Sequence, residues 1–236
     1  MAQKINPISF RLGTAQVWSS TLQIYGKSFK SYFPIVNNQL KLHNFLSRYF
    51  QLNDFQLNYY EWKMYKNKTL LNIYFSPSFT NKNINLIFLK KLFVLFSKWF
   101  PSDFFVYFHL NLKWALSPKF LLLYAKYLLL QKTPPKKIMR SLCKFLLDQL
   151  NSTKITYFKF GLHKTKLVGF KIRLAGRFEG SNQMAKIFEQ TVDHLSLTNL
   201  SSFVEYSTAE IHTKLGTCGI QIWLFYSPKK YLNDCT

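Results

Sequence analysis

Acidic residues are scarce: Asp and Glu total 10 in 236 residues, against 32 Lys and Arg, for a formal charge of +22. Up to Pro118 the only carboxylates are Asp54, Glu61 and Asp103, which leaves little scope there for a paired-carboxylate site. Cysteine is scarce too. Cys143, Cys218 and Cys235 provide neither a disulfide framework nor a metal-ligand spacing, and point to a reducing compartment. The five histidines have no His-x-x-x-His or Cys-x-x-Cys companions, so no bound metal is expected. Long apolar runs are missing: Phe120–Leu130 contains Lys126 and falls short of the roughly 18 to 20 residues of a membrane span. Residues Met1–Phe10 lack both a signal core and an arginine-rich transit pattern. Gly26-Lys27-Ser28 ends like a phosphate loop, but Thr21 stands where its first glycine belongs. Neither an enzyme, a cofactor nor a homo-oligomer is expected.

What is present is a core-forming chain, 48% hydrophobic, with a large excess of cations. A pI near 9.9 belongs to a protein that lives beside a polyanion. The charge is +11 up to Pro118 and +11 after it, which suits a partner touched on several sides. Phe (24) and Tyr (14) are abundant while Gly and Pro number eight each. With plentiful Leu, Lys, Asn and Ile, this is the residue set of AT-rich codons, as in an organellar genome.

Residues 1–16 read as an irregular basic arm carrying Lys4 and Arg11. Leu40, Phe45, Leu46 and Phe50 approximate one helical face. Phe55–Met64 and Lys68–Phe75 read as a strand pair, and Ile84–Phe100 as a helix with Leu86, Leu89, Phe93 and Phe96 inward. Phe104–Leu112 reads as a buried strand. Together these make one α/β unit over residues 17–112.

A second unit spans residues 113–228, with a tail over 229–236. Ser117-Pro118 and Thr133-Pro134-Pro135 each signal a helix start, predicting an αα pair ending near Leu130 and Leu150. Residues 151–165 read as a loop or irregular strand. Lys166–Arg177, Ser202–Thr208 and Gly219–Phe225 alternate as strands, and Ser181–Gln190 reads as a short helix. The expected fold class is α/β (α+β), its second unit an αα pair packed on a mixed sheet.

The cations concentrate most on the second helix of that pair. Lys136, Arg140 and Lys144 recur at i, i+4 and i+8, with Lys137 beside them and Ile138, Leu142, Phe145 and Leu146 on another face. Cations at a helix N-terminus oppose the macrodipole, each costing roughly 0.3 to 1 kcal/mol when exposed, so an anionic partner is expected there. The competing reading is a merely solvated basic face. Other cations, Lys63, Lys66 and Lys68 among aromatics, Lys164, Lys166 and Arg173, and Lys229 and Lys230, suit backbone phosphate.

Three blocks carry a family resemblance. The opening Gln3-Lys4-Ile5-Asn6-Pro7, with Arg11-Leu12-Gly13, Trp18 and Ser20-Thr21, resembles the start of the bacterial-type ribosomal protein S-three family, which usually has histidine at the place of Asn6. Gly176-Arg177-Phe178 with Gly180, Ala185 and Lys186 is similar to a second block. Tyr206, Thr208, Glu210, His212, Thr213, Gly216, Gly219 and Ile222-Trp223 match the family's terminal hairpin. The resemblance implies a type II KH domain followed by an α/β C-terminal domain, in the head of the small ribosomal subunit. It implies binding to small-subunit rRNA, contact with mRNA at the tunnel by which it enters, and ribosomal proteins S ten and S fourteen as neighbours. Lys4, Arg11, Arg177 and Lys186 join the candidate RNA contacts. The mRNA-facing segment would be Lys132, Lys136, Lys137 and Arg140. A KH domain clamps nucleic acid with a Gly-x-x-Gly loop; the aligned Lys82-Asn83-Ile84-Asn85 has no glycine, so Lys82 retains only charge.

The composition and the absent presequence suggest an organelle-encoded protein of the mitochondrial matrix, in a mitochondrial rather than plastid ribosome. A free-standing KH-type RNA-processing factor is the alternative; it would share the charge but need not keep the terminal blocks. A peripheral membrane protein would need a long helix with a clean basic face, which is not seen.

Overall fold

The computed structural model describes residues 5–18, 29–53, 55–64, 68–77, 87–99, 103–110, 117–159, 161–178, 184–193 and 197–228. The chain divides into a central unit, Ser19–Trp114, and a terminal unit made of Met1–Trp18 with Ala115–Thr236.

The central unit runs α2 (Phe29–Leu52), β1 (Phe55–Met64), β2 (Lys68–Pro77), α3 (Ile87–Trp99) and β3 (Asp103–Leu110). The strands lie in the order β1-β2-β3, the first pair antiparallel and the second parallel. A parallel return needs a crossover, and α3 supplies it. Leu42, Leu46 and Phe50 of α2, spaced i, i+4, i+8, and Phe88, Leu92 and Phe96 of α3 bury against Leu71, Ile73 and Phe75 of the middle strand. The Tyr49 hydroxyl of α2 donates to the Phe88 carbonyl of α3 at 3.0 Å. The expected stripes were partly misread. Leu40 and Phe93 are exposed, because each lies about a quarter-turn or more off the true i, i+4 row. Strand β3 is not buried on both sides: Phe105 and Tyr107 alternate outward.

The terminal unit begins with α1 (Pro7–Arg11), continues with α4 (Pro118–Leu130) and α5 (Pro135–Asp148), then β4 (Thr153–Phe158), β5 (Gly161–Gly176), β6 (Lys186–Val192), β7 (Phe203–Thr213) and β8 (Gly216–Pro228). The sheet order is β4-β5-β8-β7, with β6 also paired to β5. Every described pairing is antiparallel, where a mixed sheet was expected. Leu121, Ala125, Ile138 and Leu142 of the helices meet Phe170, Ile172, Leu174, Ile220 and Leu224 of the sheet in one core. Burial of such side chains contributes roughly 1.5 to 3 kcal/mol each.

Three local expectations are corrected. Residues 153–158 and 161–165 are a regular antiparallel pair, held by the register Thr153↔Lys166 to Phe158↔Gly161. Lys186–Val192 is a strand and not a helix, because it pairs antiparallel with β5 in the register Gly176↔Lys186 to Phe170↔Val192. The N-terminal arm is neither irregular nor free. Asn6 caps α1, its side chain accepting from the Ile8 amide at 3.0 Å.

Candidate nucleic-acid interface

Helix α5 starts where two prolines remove two of the amide donors that a helix N-terminus leaves unsatisfied. No side chain caps it and no acid lies in its first turn. Thr133, expected as the cap, turns its hydroxyl back to the Leu128 carbonyl at 2.8 Å; Ser117 likewise makes no capping bond to α4. The N-terminus of α5 therefore keeps its positive potential, and Lys136 and Lys137 add to it.

One face of α5 is anchored by Ile138, Met139, Leu142, Cys143 and Leu146, all buried. Phe145 adds an edge-to-face contact with Tyr124 of α4, centroids 5.4 Å apart. Lys136, Lys137, Arg140 and Lys144 are all exposed on the other side. Among the described residues three ion pairs form, Lys63–Glu61, Lys154–Glu205 and Lys171–Glu189, and none uses an α5 cation.

Lys132 extends this group by an unusual backbone route. The Thr133 amide donates to the Leu128 carbonyl at 3.2 Å and the Lys132 amide to the Leu129 carbonyl at 3.0 Å, the two bonds of a Schellman ending to α4. Lys132 then holds φ at 58°, the left-handed position that glycine fills at least cost. The chain accepts that strain and presents a lysine at the corner leading into α5.

The remaining expected cations do not join this surface. Lys164, Lys166 and Arg173 alternate on β5 with core residues Thr165, Leu167, Ile172 and Leu174, so they lie on the side of the sheet away from the helices. Lys164 is exposed; Lys166 and Arg173 are half-buried, and the Nε of Arg173 is buried without a hydrogen-bond partner. Arg177 and Lys186 are half-buried near the end of β5 and the start of β6. Gly176, the last residue of β5 and the register partner of Lys186, has no room for a side chain: an added Cβ would stand 2.9 Å from the Cys218 Cα. Lys4, Lys82, Lys66, Lys229 and Lys230 lie outside the described residues.

Arg11 is a correction. It is fully buried, and its guanidinium donates to the carbonyls of Pro7, Leu197 and Asn199, each at 2.9 Å, and to Ser202 Oγ at 3.4 Å. A guanidinium so engaged ties the chain's start to the segment before β7 and has no donor geometry to offer phosphate. Gln16 repeats the tie, donating to the Val204 carbonyl at 2.7 Å. Lys154 and Lys171, which the sequence reading left unassigned, are paired with acids, and Lys171 also sits 5.6 Å over the Trp223 ring.

Comparison with known proteins decides the family. The chain is 68% identical over 233 residues to small ribosomal subunit protein uS3m of Chondrus crispus, covering 99% of this chain and 97% of that protein. The chain belongs to the uS3 family of small ribosomal subunit proteins. It is 27% identical to uS3 of Geobacter sulfurreducens over 229 residues, 95% of this chain and 96% of that one. It is 36% identical to uS3 of Treponema pallidum over 75 residues, 32% of this chain and 30% of that one. No protein-family model matches the chain. As a uS3 protein it is a structural component of the small ribosomal subunit and not an enzyme, in keeping with the thin catalytic inventory of its sequence. No described helix is long and apolar enough to cross a membrane.

Proposed function

We propose that the protein is a constituent of the mitochondrial small ribosomal subunit, of the matrix and organelle-encoded, which binds small-subunit rRNA in the head and faces mRNA along α5 as it enters. The observation that carries this is the split character of α5: an apolar face buried in the terminal unit, and Lys136, Lys137, Arg140 and Lys144 exposed, with no acid in the first turn and none of the four in a described ion pair, continued by Lys132 at the preceding corner. Packing does not call for that arrangement, whereas phosphate offsets the cost of clustering cations at a helix N-terminus. The helix-strand-strand-helix-strand order of the central unit supports the KH type II reading. Lys164, Lys166, Arg173, Arg177 and Lys186 are assigned to rRNA on another side, with Lys4, Lys82 and the neighbours S ten and S fourteen carried from the family resemblance. A free-standing RNA-processing factor is disfavoured by near full-length similarity to a ribosomal protein.

The test is the triple variant Lys136→Ala, Lys137→Ala, Arg140→Ala in assembled small subunits, with occupancy checked. Alanine is the best helix former and removes the unfavourable dipole contacts, so the fold is expected to hold. Three lost phosphate contacts lower the salt slope of RNA binding by roughly two to three units. Elongation through an mRNA with a stable hairpin is expected to slow more than through an unstructured one. Equal slowing on both messages would overturn the mRNA-facing role.

A further inference from the structure

The sheet of the terminal unit is rolled so that its outer strands meet. β4 and β7 stand at opposite ends of the order β4-β5-β8-β7. Yet the rings of Phe158 on β4 and Phe203 on β7 lie 5.6 Å apart, and Lys154 of β4 pairs with Glu205 of β7 at 2.6 Å. These contacts are between side chains, and among the described residues no backbone ladder joins the two strands. The segment that carries α1 bridges them instead. Gln16 forms an antiparallel bridge with Phe158, and the Lys159 amide donates to the Ala15 carbonyl at 3.3 Å. The side chain of the same Gln16 donates to the Val204 carbonyl of β7 at 2.7 Å. One residue is thus bonded to both edges, and Arg11 adds its bonds to Leu197, Asn199 and Ser202 just before β7.

Within the segment the bonds are local. The Arg11 carbonyl accepts from the amides of Thr14, Ala15 and Gln16 and from the Thr14 hydroxyl, and the Gly13 amide donates to the Gln16 carbonyl at 2.9 Å. A stretch this short does not hold such a turn alone in water, so it forms and melts as one unit. Its apolar side chains do little to fasten it. None of them belongs to the core made by α4, α5 and the sheet, and Ile5, Phe10, Val17 and Trp18 are 42 to 71% exposed. The hold is polar, through two long side chains reaching backbone carbonyls. Burial strips water from the Arg11 guanidinium and lowers its pKa below the ordinary value, so desolvation takes back part of what its hydrogen bonds contribute.

We propose that residues 6–16 are a clasp, which closes last on an already formed sheet, joins the edges of β4 and β7, and opens as one unit while the helix–sheet core stays folded. The open form is a receptor for the segment itself, with the carbonyls of Leu197, Asn199 and Val204 as acceptors. Opening also bares two strand edges, the backbone on which other chains pair, so the shut clasp protects the terminal unit from edge-to-edge association. None of this depends on what α5 binds.

Hydrogen exchange on the full wild-type chain, followed residue by residue, tests the clasp without any substitution. The amides of Leu12 to Gln16 and of Lys159 are expected to exchange as one group, about tenfold or more faster than those of the β5–β8 ladder from Phe170 to Leu174. One common rate for both groups would overturn the proposal, because clasp and sheet would then open only together. In the double variant Arg11→Met, Gln16→Ala the clasp amides are expected to lose protection while the ladder keeps its own. That variant is also expected to capture a labelled synthetic peptide of residues 3–18 about tenfold or more better than wild type, whose own clasp competes. The same peptide carrying Arg11→Ala is expected to stay unbound. Loss of ladder protection in the variant, equal capture by the two chains, or capture of the altered peptide would each overturn the proposal.

Discussion

At Lys132 a single backbone angle separates stability from function. A left-handed conformation costs an L-residue roughly 1 to 2 kcal/mol, while glycine gives back roughly 0.5 to 1 kcal/mol in unfolded-chain entropy. Lys132→Gly is therefore expected to stabilise the isolated protein by about 0.5 to 1 kcal/mol, read from the urea midpoint, while weakening RNA binding and lowering its salt slope by about one unit. A fall in stability would show that the lysine side chain, and not the turn, holds the corner. Arg11 is the opposite case. The sequence offered it as a candidate RNA contact, yet it is the largest fully buried side chain among the described residues. Nothing within its own segment signals this, because two of the carbonyls it satisfies, those of Leu197 and Asn199, lie some 186 to 188 residues away.

For the elements, helix α5 was legible because both of its faces are written at helical spacing in one continuous stretch. Its buried face also makes a chemical prediction. Burial pushes the Cys143 thiol up from an ordinary 9.0 to about 11, since the interior disfavours the thiolate. The unfolded chain loses this proton first, so the folded state is favoured fully below about pH 9, and that advantage is lost as pH rises through about 11. Comparing urea midpoints of wild type and Cys143→Ala from pH 8 to 11 is expected to show the steeper decline in wild type; parallel curves would mean the thiol is not shielded by the helix–sheet contact. Burial together with Glu205 raises the Tyr226 hydroxyl well above its usual value, but that contribution is common to both proteins and cancels. Strand β6 was misread as a helix because seven residues hold too few periods to separate the two patterns; pairing with β5 from Phe170 to Gly176 decides it.

As a whole molecule the chain carries +22, and self-repulsion of that size opposes compactness until a polyanion supplies the counter-charge. Adding small-subunit rRNA fragments to the purified protein is expected to raise its thermal midpoint, with a gain that shrinks as salt rises. An unchanged midpoint at low salt would count against rRNA as the stabilising partner. The terminal unit adds a topological point: residues from both ends of the chain form it, with Arg11 and Gln16 bonded to residues from 197 onward. The segment expected as an irregular basic arm is thus a structural part of the terminal unit.

Much of the molecule's character followed from the sequence alone. The expectation of a polyanionic partner came from charge, the strand pair Phe55–Met64 and Lys68–Phe75 and the αα pair from local periodicity and proline placement, and the family from blocks at the two ends. These are properties of composition and of short windows, so no long-range contact is needed to state them. Only the tertiary structure decided which cations are free. It buried Arg11, paired Lys154 and Lys171, set Lys164, Lys166 and Arg173 on the sheet side opposite α5, and stacked Tyr59, Tyr74 and His109 into one file. Each of those outcomes depends on register between distant segments, and a one-residue change of parity such as the bulge at Asn58 moves a side chain from core to surface without altering the local sequence pattern.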